Sequence, residues 1–422
     1  MTLAIILFAL TYICLLAMPD RRAIVALISA AIFIVTGILP VNMIIENIDF
    51  NVLMMIAGTM GIVSLFIDSK MPALMADVIL KKMPSVKWAI VSLALFAGII
   101  SAFVDNVATV LMVAPVALAV AQKLGINPVG MIIAIAVSSN LQGAATLVGD
   151  TTSILLGGHA GMDFLDFFFF LGKPSIFWGV ELGAVISAFV LLWLFRHEKA
   201  KISTDEITKV TDYVPTILLV GMIVLLISAS FIPNKPDITN GIICISLMVV
   251  GIIYTGIRYK APERMIKPLK EIDFTTLGLL LGLFLVIGGI TEAGVIDAIA
   301  QIFVNISGGN LFAAYTLIVW ASVLFSAFID NIPYVATMLP VVQAMAVTLG
   351  VEPYVLYFGL LTGATLGGNC TPIGASANIT GIGILRRAGY EVKNSDFFRI
   401  GIPFTFSAVI AGYIYTWLVW GI

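Results

Sequence analysis

Two acid-amide pairs stand inside long apolar runs. Asp105-Asn106 follows Ser101-Ala102-Phe103-Val104, and Asp330-Asn331 follows Ser326-Ala327-Phe328-Ile329, at a constant offset of 225 residues. A third carboxylate, Asp150, lies in the polar stretch Gly149-Asp150-Thr151-Thr152-Ser153, again between apolar residues. An ionisable side chain at the centre of a bilayer costs about 2.5–3.5 kcal/mol on insertion scales, so each of the three needs a partner or a task. Two roles suit an Asp-Asn pair at the tip of a helical hairpin. The carboxylate accepts the orphaned backbone N–H groups of the second arm, and it offers hard oxygen atoms to a sodium ion or a proton.

The rest of the constellation falls in two segments that are too polar to be plain membrane helices. Residues 128–160 carry Asn140, Gln142, Gly143, Thr146, Gly149, Asp150, Thr151, Thr152 and Ser153; residues 353–385 carry Thr365, Gly367, Gly368, Asn369, Thr371, Pro372, Gly374, Ser376 and Asn378. Pro372 removes a backbone donor and disfavours helix at the residue before it. Both segments are expected to be broken helices whose freed carbonyls join side-chain oxygens in one site, as secondary transporters arrange them at a repeat interface. The expected ion- or substrate-binding set is Asp105, Asn106, Thr109, Asn140, Thr146, Asp150, Thr151, Thr152, Ser153, Asp330, Asn331, Asn369, Thr371, Ser376 and Asn378, with Asp105, Asn106, Asp150, Asp330 and Asn331 as sodium ligands. A packing face of small residues accounts for Gly143, Gly367 and Gly368 but not for Asp150. No Lys or Arg falls inside a span, which gives three acids without a fixed cation and favours a cation or proton as cargo. Helix N-termini together with a bound cation would still hold an anion.

The elements that position these residues follow from composition. The chain has 422 residues, 60% hydrophobic and 11% charged, against about 25% charged in soluble domains, so it belongs in a bilayer. A net charge of −2 without long charged runs gives no reason to expect a nucleic-acid partner. Cys14, Cys244 and Cys370 are scattered in apolar runs and encode neither disulfides nor a thiolate metal site. No basic region precedes the apolar run from Thr2 to Met18, and Arg21 and Arg22 follow it, so it reads as a first span rather than a cleaved signal. His159 is read as an ordinary loop histidine, with pH sensing as the alternative. Asp49 and Asp273, in matching Ile-Asp-Phe triplets, are expected helix caps.

With about 20 apolar residues per crossing, spans are expected near 2–18, 22–39, 50–67, 175–195, 214–232, 239–257, 274–291 and 400–420. Interfacial or amphipathic stretches are expected near 71–84 and up to 308, hairpin arms over 88–124 and 311–349, and broken spans over 128–160 and 353–385. The fold class is an all-α polytopic membrane protein of two inverted repeats, each with five crossings, a re-entrant hairpin and a broken helix. The first repeat covers 1–196 (scaffold 1–87, transport part 88–196), a cytoplasmic linker 197–213, and the second repeat 214–422 (scaffold 214–309, transport part 310–422). Ten crossings put every Lys and Arg except Lys173 and Lys235 on one side. The positive-inside rule makes that side cytoplasmic, with both termini outside the cell membrane.

At the Asp-Asn turns and the Gly149–Ser153 segment the sequence resembles the ion transporter superfamily, over nearly its whole length. The likeness is to the branch of arsenite-efflux and NhaD-type sodium/proton antiporters, related to the divalent anion/sodium symporters. Those symporters carry Ser-Asn-Thr at the tips, of which only Asn106 and Asn331 are matched here, a departure that speaks against carboxylate substrates. The resemblance implies a homodimer in which a transport domain moves like an elevator against a scaffold. The function expected is sodium/proton antiport, with coupled transport of a small anion or neutral oxyacid (dicarboxylate or arsenite) as the alternative. A passive channel and an intramembrane aspartyl protease, whose paired acids share a proton, are more distant readings. No catalytic residue and no cofactor beyond the transported sodium ion or proton are expected.

Overall fold

The computed structural model describes residues 1–201 and 207–422, so residues 202–206 of the expected linker lie outside the described residues. The first half runs α1 (Thr2–Ala17), α2 (Arg22–Val35), α3 (Phe50–Asp68), a short α4 (Met71–Lys81), the helix-turn-helix α5 (Val86–Ser101) and α6 (Asn106–Leu124), α7 (Val129–Gly143), α8 (Thr151–Ala160) and α9 (Ile176–Leu194). The second half runs α10 (Val214–Ala229), α11 (Thr239–Tyr259), α12 (Pro262–Lys270), α13 (Phe274–Glu292), α14 (Val295–Ile306), α15 (Leu311–Ser326), α16 (Asn331–Leu349), α17 (Tyr354–Gly367), α18 (Ser376–Arg387) and α19 (Asn394–Trp420). Each expected span, arm and broken segment coincides with helix, but α1, α2 and α10, of 16, 14 and 16 residues, fall short of a spanning length on their own. Two elements were not expected: α12, and a two-stranded antiparallel pair of Phe169–Phe170 with Lys173–Pro174. Four of the nine residues of α12 are charged and two are prolines, so it is too short and too polar to read as a span.

Among the described residues, seven helical units are long and apolar enough to cross a membrane, α12 and α13 counting as one of 31 residues. Two bent pairs, α1–α2 and α14–α15, each turning through 113°, bring the number to nine. The chain is a multi-pass membrane protein. Helix starts follow local chemistry: Asp49 Oδ1 accepts from Val52 N at 2.9 Å, and Asp273 Oδ1 from Thr275 N and Thr276 N at 2.9 and 3.1 Å. Helix ends use left-handed glycines, Gly125 after α6 and Gly350 after α16, where a side chain would meet its own backbone.

The helices pack as two sets. In one, α2 lies along α13 and α3 along α11, with α1 and α10 beside them. Each of the two main crossings is built on a glycine, as close approach between membrane helices requires. A Cβ on Gly58 would sit 2.5 Å from the Cys244 carbonyl carbon, and one on Gly282 would sit 2.5 Å from that of Ala26. In the other set α5 packs on α7, α15 on α17, α9 on α19, and α18 on α6 and α7. The short α4 and α14 lie along the helix-turn-helix arms. The sets meet mainly where α13 touches α16 and α3 touches α6 and α8.

Candidate functional site

The two breaks are pinned to the hairpin turns by matching bonds. Thr146 Oγ1 donates to the Ala102 carbonyl, and Thr371 Oγ1 donates to the Ala327 carbonyl. Gly149 and Gly374 make the approach possible: a Cβ on Gly149 would lie 2.6–2.8 Å from the carbonyl oxygens of Gly143, Ser101 and Ala102, and one on Gly374 would lie 2.5–2.9 Å from those of Gly368, Ser326 and Ala327. No side chain fits there. Behind the breaks, Ser153 Oγ donates to Gly143 O at 3.3 Å and Asn378 Nδ2 to Gly368 O at 3.3 Å.

The two halves are joined by buried amides. Asn106 Nδ2 donates to Asn140 Oδ1 at 3.1 Å; Asn140 Nδ2 donates to Thr365 O at 2.7 Å and Asn369 Oδ1 at 3.1 Å; Asn369 Nδ2 donates to Val137 O at 2.9 Å. Asp150 is bound to this seam. Its Oδ1 accepts from Thr151 N at 2.8 Å and its Oδ2 from Thr152 Oγ1 at 2.7 Å, while Thr152 Oγ1 lies 2.9 Å from Thr365 Oγ1. A hydroxyl has one hydrogen; Thr152 spends it on Asp150, so Thr365 donates to Thr152.

A cavity of about 460 Å³ opens beside the seam. Four helix N-termini face it: Asp105 to Ala108 of α6, Asp150 and Thr151 of α8, Asn331 and Ile332 of α16, and Ser376 of α18. Its other wall is α3 from Met60 to Asp68, with Lys267, Glu271 and Asp273. The Lys267–Asp68 ion pair of 2.5 Å, 45% and 41% exposed, is part of its lining. A second cavity at the opposite end of α3 is lined by Glu46, Asp49, His159, Asp163, Lys235 and Asp237, and none of the paired acids reaches it. His159 belongs to the last turn of α8, its ring edge-on to Tyr357 at 5.6 Å, rather than to a loop.

Of the expected site residues, Asp105, Asn106, Asp150, Thr151, Asn331 and Ser376 line the cavity. Thr109, Asn140, Thr146, Thr152, Ser153, Asn369, Thr371 and Asn378 stand behind them, in the bonds that hold the breaks, the turns and the seam together. Among the described residues no group of three or more His, Cys, Asp or Glu is gathered at metal-ligating range. Both hairpin carboxylates also cap their second arm, Asp105 Oδ2 accepting from Ala108 N and Asp330 Oδ1 from Ile332 N, each at 3.1 Å.

One expectation is overturned. Three acids without a fixed cation were expected, yet Arg22 Nη1 lies 2.6 Å from Asp330 Oδ2. Arg22 begins α2, outside any span interior, but its long side chain carries the charge to the second hairpin tip. Asp330 thereby turns to α2, and its neighbour Asn331 faces the cavity. Sequence reasoning also missed Tyr12, whose Oη donates to Pro333 O at 2.8 Å and bonds Thr337 Oγ1. The pair Arg21-Arg22 at the mouth of a span was the one available signal; contacts between distant helices leave none.

Asn331 and α18 add a donor side. Asn331 is 5% exposed, and among the described residues its Nδ2 has no partner. At the residue matching Asp150, α18 has Ala375, and its N-terminus carries no side-chain cap.

Comparison with known proteins gives this site its context. The "Citrate transporter" (CitMHS) family model matches residues 12–363 and 265–421. An uncharacterized transporter of Mycobacterium tuberculosis is 31% identical over 426 residues, covering 98% of this chain and 97% of its own. The P protein of Homo sapiens is 25% identical over 496 residues, covering 98% of this chain, which spans 58% of that protein. Among solved structures, the fold is similar to the YdaH transporter of Alcanivorax borkumensis, with a TM-score of 0.60 at 14% identity, covering 89% of this chain and 87% of that one. It is also similar to MtrF of Neisseria gonorrhoeae, which is placed in a class of antimetabolite efflux pumps: TM-score 0.56, 15% identity, 97% and 84% covered. The expected kinship with ion transporters and divalent anion symporters holds at the level of this family, and the aspartyl protease alternative falls with it. The chain belongs to the citrate transporter (CitMHS) family and is a secondary transporter, not an enzyme.

Proposed function

We propose that the chain exchanges a cation, sodium, for protons across the cell membrane. One observation carries this reading: Asp105 and Asp150 line the same cavity, and among the described residues neither is ion-paired with a Lys or Arg. Two carboxylates beside amide and hydroxyl oxygens suit a hard monovalent cation, and the carboxylates take protons when it leaves. Thr151 N and Thr152 Oγ1 hold the Asp150 carboxylate in place, so it meets the ion already oriented. The driving force is an ion gradient, in which each charge moved through 100 mV gains about 2.3 kcal/mol.

The positive-inside rule assigns the face of Lys267 to the cytoplasm and both termini to the outside, so the cavity is open inward. The two helix sets suit an elevator: residues 1–87 and 214–309 as scaffold, residues 88–196 and 310–422 as the moving part, in a homodimer. The two halves then act as inverted repeats.

A second reading is favoured by the unpartnered Asn331 Nδ2 and the uncapped N-terminus of α18. Donors and a helix N-terminus suit an oxyanion, and the family description names citrate. In that case the acids hold the coupling cation and the anion sits on α16 and α18.

The test is pH change inside proteoliposomes on adding sodium, lithium or potassium, with wild type and Asp150→Asn compared. A sodium-triggered proton flux that the variant loses is the expected result. Folded protein that gives no flux with any cation, yet accumulates labelled citrate or succinate, overturns exchange in favour of the anion reading.

A further inference from the structure

The two helix sets carry one kind of polar corner twice, and the two corners hold different partners. The α1–α2 corner reaches the second hairpin tip, through Arg22 on Asp330 and through Tyr12 on Pro333 and Thr337. The α10–α11 corner has Lys235, and Lys235 pairs with Asp163 at 2.5 Å, in the link after α8, rather than with Asp105 at the first tip. The two tips match in sequence but the two corners do not, so the ion pair to a hairpin tip is a feature of the α1–α2 corner.

We propose that Arg22 enforces coupling. Its ion pair holds the moving set in the present docking, and only a cation that reaches Asp330 from the cavity beside Asn331 replaces it. The physical reason lies in burial. The side chains of Arg22 and Asp330 are 27% and 14% exposed, and a carboxylate at that depth is strongly destabilised when its partner is taken away. If the moving set slides along the scaffold, Asp330 leaves Arg22 behind, because Arg22 belongs to the set of α2 and α13. Without a bound cation Asp330 then travels uncompensated, and the empty set stays. With a cation at the tip the pair weakens and the set is released. Arg22 does not line the cavity, so it is a positioning residue and not a ligand. The inference rests on the cation reading above for what replaces Arg22, but the latch itself rests on the geometry of the corner.

The experiment uses the full chain with Cys14, Cys244 and Cys370 replaced by serine and spin labels at two exposed positions, Ile24 on α2 and Phe328 at the hairpin tip. Without sodium, wild type should give one short distance. Arg22→Gln should raise the population of a longer distance at least tenfold, equivalent to about 1.4 kcal/mol. Asp330→Asn should do the same from the other side of the pair, and Arg22→Lys should restore the short distance. In proteoliposomes Arg22→Gln should pass labelled sodium downhill with no exchange partner, which wild type does not. An unshifted distance in both Arg22→Gln and Asp330→Asn, or Arg22→Lys behaving like Arg22→Gln, overturns the latch. Wild type that moves no sodium at all sinks the cation reading alone, because the distances still decide whether Arg22 holds the corner.

Discussion

Replacing Asn140 with leucine takes away three hydrogen bonds at the place where the two halves meet. Asn140 is fully buried, donates to Thr365 O and Asn369 Oδ1, and accepts from Asn106 Nδ2. Leucine is close in size, so the change is one of chemistry rather than volume. Interhelical hydrogen bonds in membrane proteins average about 0.6 kcal/mol each, which makes about 2 kcal/mol for the three. Thr365 O lies near the end of α17, where intrahelical donors run out, and a buried polar atom left without a partner adds about 1–3 kcal/mol. The expected loss is therefore about 3–5 kcal/mol. It can be read from unfolding of the purified chain in mixed micelles, as a shift of the denaturing-detergent midpoint, with Asn369→Leu and the double variant completing a cycle. Because the two amides bond each other, the double variant should lose less than the sum of the single losses. An Asn140→Leu chain within about 0.5 kcal/mol of wild type, or losses that simply add, would refute the seam as a structural joint.

Gly149→Ala should destabilise the chain by about 1–3 kcal/mol in the same titration, since the new methyl meets three carbonyl oxygens; Gly383→Ala, with nothing within 4 Å of the added carbon, should not register. Thr152→Val removes the donor to Asp150 and the acceptor for Thr365. A hydrogen bond to a charged group contributes about 1.5–3 kcal/mol, so half-maximal flux should need at least about tenfold more sodium, while Thr152→Ser stays near wild type.

The elements were legible because a bilayer reduces the problem to length, charge and interruption. Runs of apolar residues cut by Lys and Arg gave the spans, and the offset between Asp105 and Asp330 gave the doubled order. The breaks were legible for a related reason: Asn, Thr, Gly and Asp in the middle of an apolar run have no place in an unbroken membrane helix. What the residues do once there was only partly legible. Thr146 and Thr371 were expected as ligands; they tie the breaks to Ala102 and Ala327, and a hydroxyl reads the same in either role. Arg22 was out of reach because α2 and α16 are more than 300 residues apart in the chain, and no periodicity in either reports on the other. The charge count saw a cytoplasmic arginine; the fold makes it the partner of a hairpin tip.

The doubled build also diverges at one telling position. Where Asp150 caps α8, Ala375 precedes α18, so the α6–α8 rim of the cavity carries Asp105 and Asp150 and the α16–α18 rim carries unfilled donors. The two rims are thus suited to opposite charges, and the two readings of function differ in which rim holds the cargo. Ala375→Asp separates them. The new carboxylate would cap α18 as Asp150 caps α8 and would set a negative charge where an anion would bind. If citrate or another carboxylate is cargo, its uptake should fall more than about tenfold, a penalty of ~1.4 kcal/mol or more, and sodium should no longer support it. If the cargo is sodium on Asp105 and Asp150, sodium-triggered proton flux should persist within about twofold, because these acids lie on the other rim. Uptake of an anion that survives Ala375→Asp unchanged would remove the α18 rim from the site and leave the acids as its only chemistry.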